Sequence, residues 1–326
     1  MPGGSGDESM RIFAVILMAF VTLLLVAVAP VSAADITWEG NDGGSWHVGE
    51  NWDRNRPPQP GDRAIINNGT RCEIDNTADA VCETIEIDDS STVRMLSSSV
   101  LTLGEDGQEH TSYIEDGGKL EIGYGGPATL EISGEHEIVG DVGTVVLLNA
   151  GSQIVEESDE DDVLTIEHSC GDTMDITCSL VLKGRGEIEV TLVNNSYVVA
   201  QTDDAHLELT TRDKSGDGFW IAENNGTLYV NCNITGAATW MSVDKNDGGQ
   251  ILISGSGCVN STGDVYISGA GVGLSLGAQS RFCTTGNLEF KSSQVGEGST
   301  TTGIDVGSSN AVAIFGVSEC YAGGGC

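Results

Sequence analysis

Leu101-Thr102-Leu103-Gly104, Leu120-Glu121-Ile122-Gly123 and Leu130-Glu131-Ile132-Ser133-Gly134 carry the reading that decides the fold. Each is an apolar-polar-apolar triplet closed by a small residue. Period-two alternation sends the aliphatics to one side of a strand and Thr or Glu to the other. The same pattern recurs as Leu164-Thr165-Ile166, Ile188-Glu189-Val190, Leu207-Glu208-Leu209, Leu228-Tyr229-Val230, Ile251-Leu252-Ile253, Val265-Tyr266-Ile267, Leu274-Ser275-Leu276 and Leu288-Glu289-Phe290. Helical periodicity is almost absent after Ala34.

Successive triplets start roughly 19 to 24 residues apart, some at half that step, which is the length of one coil of a β-solenoid. One coil has no core of its own, and stacked coils share a narrow one. The composition agrees: 45 Gly suit tight corners, and 5% aromatic residues suit thin layers built from Val, Ile and Leu. The competing architecture is a β-sandwich, also built of short strands. Its turns usually carry more Pro than the six found here, three of which lie within Pro57 to Pro60.

Forty-nine acidic against 14 basic residues give a formal charge of −35. Such a surface repels nucleic acid and anionic lipid and attracts cations. At the N-terminus, Arg11 precedes an apolar run from Ile12 to Ala29, followed by Pro30 and the small residues Val31-Ser32-Ala33-Ala34. This reads as a signal peptide within residues 1–34, with Met10 as an alternative start and an uncleaved anchor as the rival. Either places the rest of the chain across a membrane, secreted or at the cell surface. Nine Cys fit an oxidising compartment, and Cys72/Cys82, Cys170/Cys178 and Cys320/Cys326 are the local pairs that spacing suggests. None has zinc-site spacing. Sequons at Asn68, Asn194, Asn225, Asn233 and Asn260 matter only in a glycosylating source. Glu156 to Asp162 is an acidic run expected to be a solvated loop. Val312 to Phe315 is expected as the last strand, closing a chain that is a fragment or is stapled by Cys320 and Cys326.

Residues Ile36 to Asn67 differ from the rest. Trp38-Glu39-Gly40, Gly43-Gly44-Ser45-Trp46, Glu50-Asn51-Trp52 and Pro57-Pro58-Gln59-Pro60-Gly61-Asp62-Arg63-Ala64-Ile65-Ile66 hold three of the five Trp. This stretch resembles the opening of large secreted bacterial proteins, well represented in planctomycetes, in which it precedes β-solenoid repeats. The resemblance implies a surface protein with a right-handed parallel β-helix like that of pectate lyases, and no particular reaction. Physically, residues 35–67 read as a cap, with Trp rings covering the open end of the solenoid domain 68–326. The alternative is a carbohydrate-binding platform made by Trp38, Trp46 and Trp52.

Among candidate sites, Asp213-Lys214-Ser215-Gly216-Asp217-Gly218 matches the first half of a calcium loop through Asp213, Ser215 and Asp217. Asn224 stands where the loop needs a bidentate Glu, so an ordinary Asp/Gly turn is the competing account; Asp244 to Gly249 is a weaker copy. Lys183 and Arg185 are a close basic pair that could serve a polysaccharide-cleaving site, or simply an exposed turn. The five His (His47, His110, His136, His168 and His206) are scattered, and no nucleophile elbow, zinc-helix or phosphate-loop motif occurs. The sequence therefore reads as an all-β, right-handed parallel β-helix with a structural or adhesive role and no evident catalytic motif. Polysaccharide lyase or glycoside hydrolase activity and a carbohydrate-binding module are the alternatives. Expected partners are extracellular polysaccharide or other surface proteins, and calcium is the one cofactor the sequence suggests.

Overall fold

Alternation builds a coil with three faces. On the first lie Asp35–Thr37, Arg63–Ile66, Thr84–Ile87, Val163–His168, Thr191–Asn195, Lys214–Ser215, Asn233–Gly236, Cys258–Ser261 and Arg281–Thr284. The second runs from Gly44–Ser45 through Arg71–Ile74, Thr92–Leu96, Lys119–Tyr124, Thr144–Leu147, Val181–Gly184, Tyr197–Gln201, Phe219–Glu223 and Thr239–Val243 to Leu288–Lys291. The third includes Ala80–Cys82, Gln153–Glu156, Gly186–Ile188, His206–Thr210, Thr227–Asn231, Gln250–Ile253 and Gly273–Leu276. Two long strands, Val100–Ile114 and Thr129–Gly140, bend from the third face onto the first. The structure, a computed structural model, describes residues 34–157, 162–169, 179–201, 206–243, 249–254, 257–268, 273–277, 280–291, 303–306 and 312–314.

Strands on each face pair in parallel with the same strand of the next coil, as in Leu101↔Leu130, Leu130↔Ile154 and Leu228↔Ile251. The result is a parallel β-solenoid of about nine turns. Parallel pairing throughout these ladders excludes the sandwich, whose neighbours are antiparallel hairpins. The expected spacing holds where Leu209 pairs with Val230 and Ile253 with Leu276. It fails where Val145 pairs with Leu182, a step of 37 residues.

Inward residues stack in columns. Leu101, Leu130 and Ile154 on the third face are fully buried, as are Leu120 and Leu182 on the second. Burying each such side chain stabilises the fold by roughly 1.5–3 kcal/mol. At the first coil, the Trp52 ring meets Trp38 edge-on at 5.1 Å and Trp46 at 4.9 Å. All three rings are buried. Trp38 Nε1 donates to Thr70 Oγ1 and Trp52 Nε1 to the Trp46 carbonyl, which satisfies the indoles while their bodies fill the core. Gly40 permits this packing, since a Cβ there would sit 2.4 Å from the Trp38 ring. A second aromatic layer lies further along, with Trp220 over Trp240 at 5.9 Å and Phe282 edge-on to Trp240.

Among the described residues no helix is long and apolar enough to cross a membrane. Residues 1–33, which hold the expected export signal, Cys170, Cys178, Cys320, Cys326 and residues 158–161 and 244–248 lie outside the described residues. Cys72 and Cys82 are buried, free thiols on the second and third faces, so the pair that spacing suggested is not formed. The acidic run is not a solvated loop at its ends. Glu156 closes a strand, and Asp162 is buried with its Oδ1 accepting the Gly134 N–H at 2.8 Å.

Candidate functional site

Where the third face turns into the first, outward side chains from three coils meet. Register sets Gln153 beside Glu187, and Ile188 beside Leu209, so that Glu189 and Thr210 follow side by side. Gln153 Nε2 donates to Glu189 Oε1 at 3.0 Å and lies 3.4 Å from Glu187 Oε2. Thr210 Oγ1 donates to Glu187 Oε1 at 2.7 Å. Arg212 grips Glu156 with two donors, its terminal nitrogen reaching Oε2 at 2.9 Å and its Nε reaching Oε1. Burial, then the charge and hydrogen bond of Glu187, push the Glu189 carboxyl above the usual range.

Behind this cluster Lys214 enters the core in register with Leu192 on one side and Ile234 on the other. It is 1% exposed, an exceptional place for an ammonium. Its Nζ donates to the carbonyls of Thr210 at 3.0 Å and Arg212 at 2.7 Å. Those bonds brace a turn in which Thr211 has φ +54°, strained for a β-branched residue. Burial lowers the Lys214 amine to about 8, and the nearby Cys232 thiol stands at about 11.

Chemically, Glu187 and Glu189 form a carboxyl pair bridged by Gln153 Nε2, in which burial and the neighbouring charge raise Glu189. With Gln153 and Thr210 donating to these carboxyls and Arg212 to Glu156, the arrangement fits a stitched corner better than an open catalytic cleft.

The residues singled out from sequence fall elsewhere. Asp213 stands just before the strand Lys214–Ser215, Ser215 within it, and Asp217 on the bend beyond it. Asp213 Oδ1 accepts from Asn233 Nδ2 and Asp217 Oδ1 from the Ala237 N–H, both at 3.0 Å, so these carboxylates bond the next coil. A calcium loop must instead wrap its ligands round one point. Among the described residues no group of three or more His, Cys, Asp or Glu is arranged to hold a metal ion. Trp38, Trp46 and Trp52 are each 1% exposed, which leaves no ring face for a sugar. Exposed aromatic surface lies at Tyr124 and Tyr113, with the Arg94 guanidinium 3.9 Å above the Tyr124 ring. Lys183 sits on the second face, and Arg185 Nε donates to the Leu148 carbonyl.

Sequence reasoning missed the carboxylate corner, because its members lie tens of residues apart. It also missed a polar cluster inside the earlier coils. His110 and His136 are in register one coil apart, with ring centroids at 6.1 Å, and both are buried. Two strands bend through the third-to-first corner beside them. Gly104 there has φ +99°, and a Cβ on it would lie 2.0 Å from the Ser133 carbonyl oxygen, so only glycine fits. These coils, with their long bent strands and glycine-dependent corner, lie within a recognisable unit. Residues 51–161 match the G8 domain. The G8 segment spans about a third of the chain, from the end of the Trp layer to the acidic run, and includes Gln153 and Glu156 of the carboxylate corner. Glu187, Glu189 and Arg212 lie beyond it. No curated protein and no solved structure matches the chain.

Proposed function

We propose that this protein is an extracellular structural module, a stiff acidic rod displayed or released outside the cell. One observation carries the reading: the outward polar side chains are spent between coils. Arg63 pairs with Glu86, Arg94 with Glu121, Thr102 with Glu131, Asn195 with Glu167, and Gln153 with Glu187 and Glu189. A surface that stitches each coil to the next resists bending and local opening. The export-like leader and the G8 segment, a domain that is typically extracellular, support the location. Adhesion to polysaccharide or to another surface protein is the role such a rod would serve, and its charge favours cationic partners.

A second reading, polysaccharide cleavage, is favoured by the raised Glu189 carboxyl beside Glu187 and the Arg212–Glu156 pair. Incubation of the protein with a panel of polysaccharides, with and without calcium, separates the two. The structural reading expects no new reducing or unsaturated sugar ends. Their release, abolished by Glu189→Gln, would replace it with the enzymatic one. Binding without cleavage, lost in Tyr124→Ala, would give the rod a sugar ligand.

A further inference from the structure

We propose that the His110–His136 pair is an acid-sensitive latch, which loosens the third-to-first corner of residues 100–140 when the surroundings acidify. The hydrogen bonds define its closed state. His110 has a partner at both nitrogens: Nδ1 lies 3.1 Å from Glu83 Oε1, and Nε2 lies 3.1 Å from the Glu105 nitrogen and 3.3 Å from its carbonyl oxygen. His136 is satisfied at one. Its Nε2 lies 2.8 Å from Ser112 Oγ, and its Nδ1, buried, has no hydrogen-bond partner. Ser112 Oγ also accepts the Ile85 N–H at 2.9 Å; a hydroxyl has two acceptor sites and one hydrogen, and the closed state is the one in which that hydrogen points to His136 Nε2. Three coils thus meet at one hydroxyl, through Ile85, Ser112 and His136.

A proton added to His136 reverses that bond. Nε2 becomes a donor, Ser112 faces two donors and must turn its hydrogen away, and a cation sits in a site 1% exposed. The neighbours offer no counter-charge. On the Val100–Ile114 strand His136 faces His110 and Ser112, and on the Val163–His168 strand it faces Leu164. The nearby Glu83 is engaged by His110, and Asp162 by the Gly134 N–H. Glu109 and Glu135 are exposed on the outer side. The backbone here is ready to yield, since the ladder shifts register between Ser133 and Glu135, and Gly104 and Gly134 both have positive φ. Burial first, and His110 second, depress the His136 imidazole to about 3. Its folded value therefore lies below its unfolded one, so the protection it gives is complete above about pH 6.5 and is lost as pH falls toward 3.

The test is amide hydrogen exchange on the full chain at pH 7.5, 5.5 and 4.5, corrected for the intrinsic pH dependence of exchange. Peptides from residues 100–140 are compared with peptides from 207–243. The latch predicts that protection of the first group falls about tenfold per pH unit below 6.5, near 100-fold by pH 4.5, while the second group holds. His136→Phe should flatten that slope, with His136→Gln as the second variant should Phe not fold. His206→Gln, at an exposed site, should leave it unchanged. Flat protection in residues 100–140, equal loss in both groups, or a slope that survives in the His136 variants would each overturn the proposal.

Discussion

The core is interrupted by basic side chains at His136 and at Lys214, both on the first face near the same corner of the coil. Lys214 stands between aliphatics, in register with Leu192 and Ile234, whereas His136 stands between His110 and Leu164. Their partners differ. Lys214 finds two backbone carbonyls, the groups an ammonium needs, and carboxylates gather on the surface outside it. His136 finds one hydroxyl and keeps a nitrogen without a partner. A coil corner exposes carbonyls and N–H groups to its own interior, and can hold a buried base there. How completely it satisfies that base decides whether the site is a brace or a weak point.

The largest effect expected from this contrast is acid loss of stability through His136. With a folded value of about 3 against about 6.5 unfolded, the linkage amounts to roughly 4 kcal/mol on going from pH 7 to pH 3. Urea unfolding across that range should show an acid limb, which His136→Phe makes shallower. A similar limb in the variant would assign the loss to the carboxylates instead.

Next in size is truncation of the brace. Lys214→Ala leaves a cavity and two unpaired carbonyls in the core, and should lower unfolding free energy by about 3 kcal/mol. Lys214→Met keeps the volume without the charge and should fall nearer wild type. Because the Lys214 amine is lowered to about 8 from 10.5, its charge opposes folding most fully below pH 8, and stability should rise as pH climbs from 8 to 10.5. That rise should be absent in Lys214→Met. Equal stability of the Ala and wild-type proteins would mean that the amine braces nothing.

The smallest effect is at the surface of the same corner. Glu187→Gln keeps an acceptor for Thr210 Oγ1 and removes the like charge beside Glu189. Glu189 should then titrate nearer its usual value, readable by NMR, with a gain of about 0.5 kcal/mol near neutral pH.

Much of the fold was legible in the strands themselves. Leu101-Thr102-Leu103 and Leu228-Tyr229-Val230 alternate as drawn from sequence, because inward and outward positions differ in polarity on these strands. The longer coil was blurred, since the 37-residue step from Val145 to Leu182 breaks the common spacing that carries the periodic signal. The sites were less legible. Trp38, Trp46 and Trp52 suggested either a cap or a sugar platform, and only their burial decides against the platform. Asp213, Ser215 and Asp217 matched half a loop motif while folding along a strand and its bend. His110 and His136 looked scattered at 26 residues apart, yet that is one coil, and the register makes them neighbours. In a solenoid, the chemistry is read across coils, and a search at the coil step would have paired these two and flagged Lys214 among its aliphatic neighbours.

Both buried corners depend on the register that sets residues of successive coils side by side, and cross-linking tests that register most directly. Thr102 and Glu131 are paired outward neighbours on the third face, at a spacing that suits a disulfide. In Thr102→Cys/Glu131→Cys, mild oxidation followed by peptide mapping should recover a bond between positions 102 and 131. In Thr102→Cys/Val155→Cys, whose positions are two coils apart, it should recover none. Linkage of the second pair but not the first would contradict the register, and with it both buried corners.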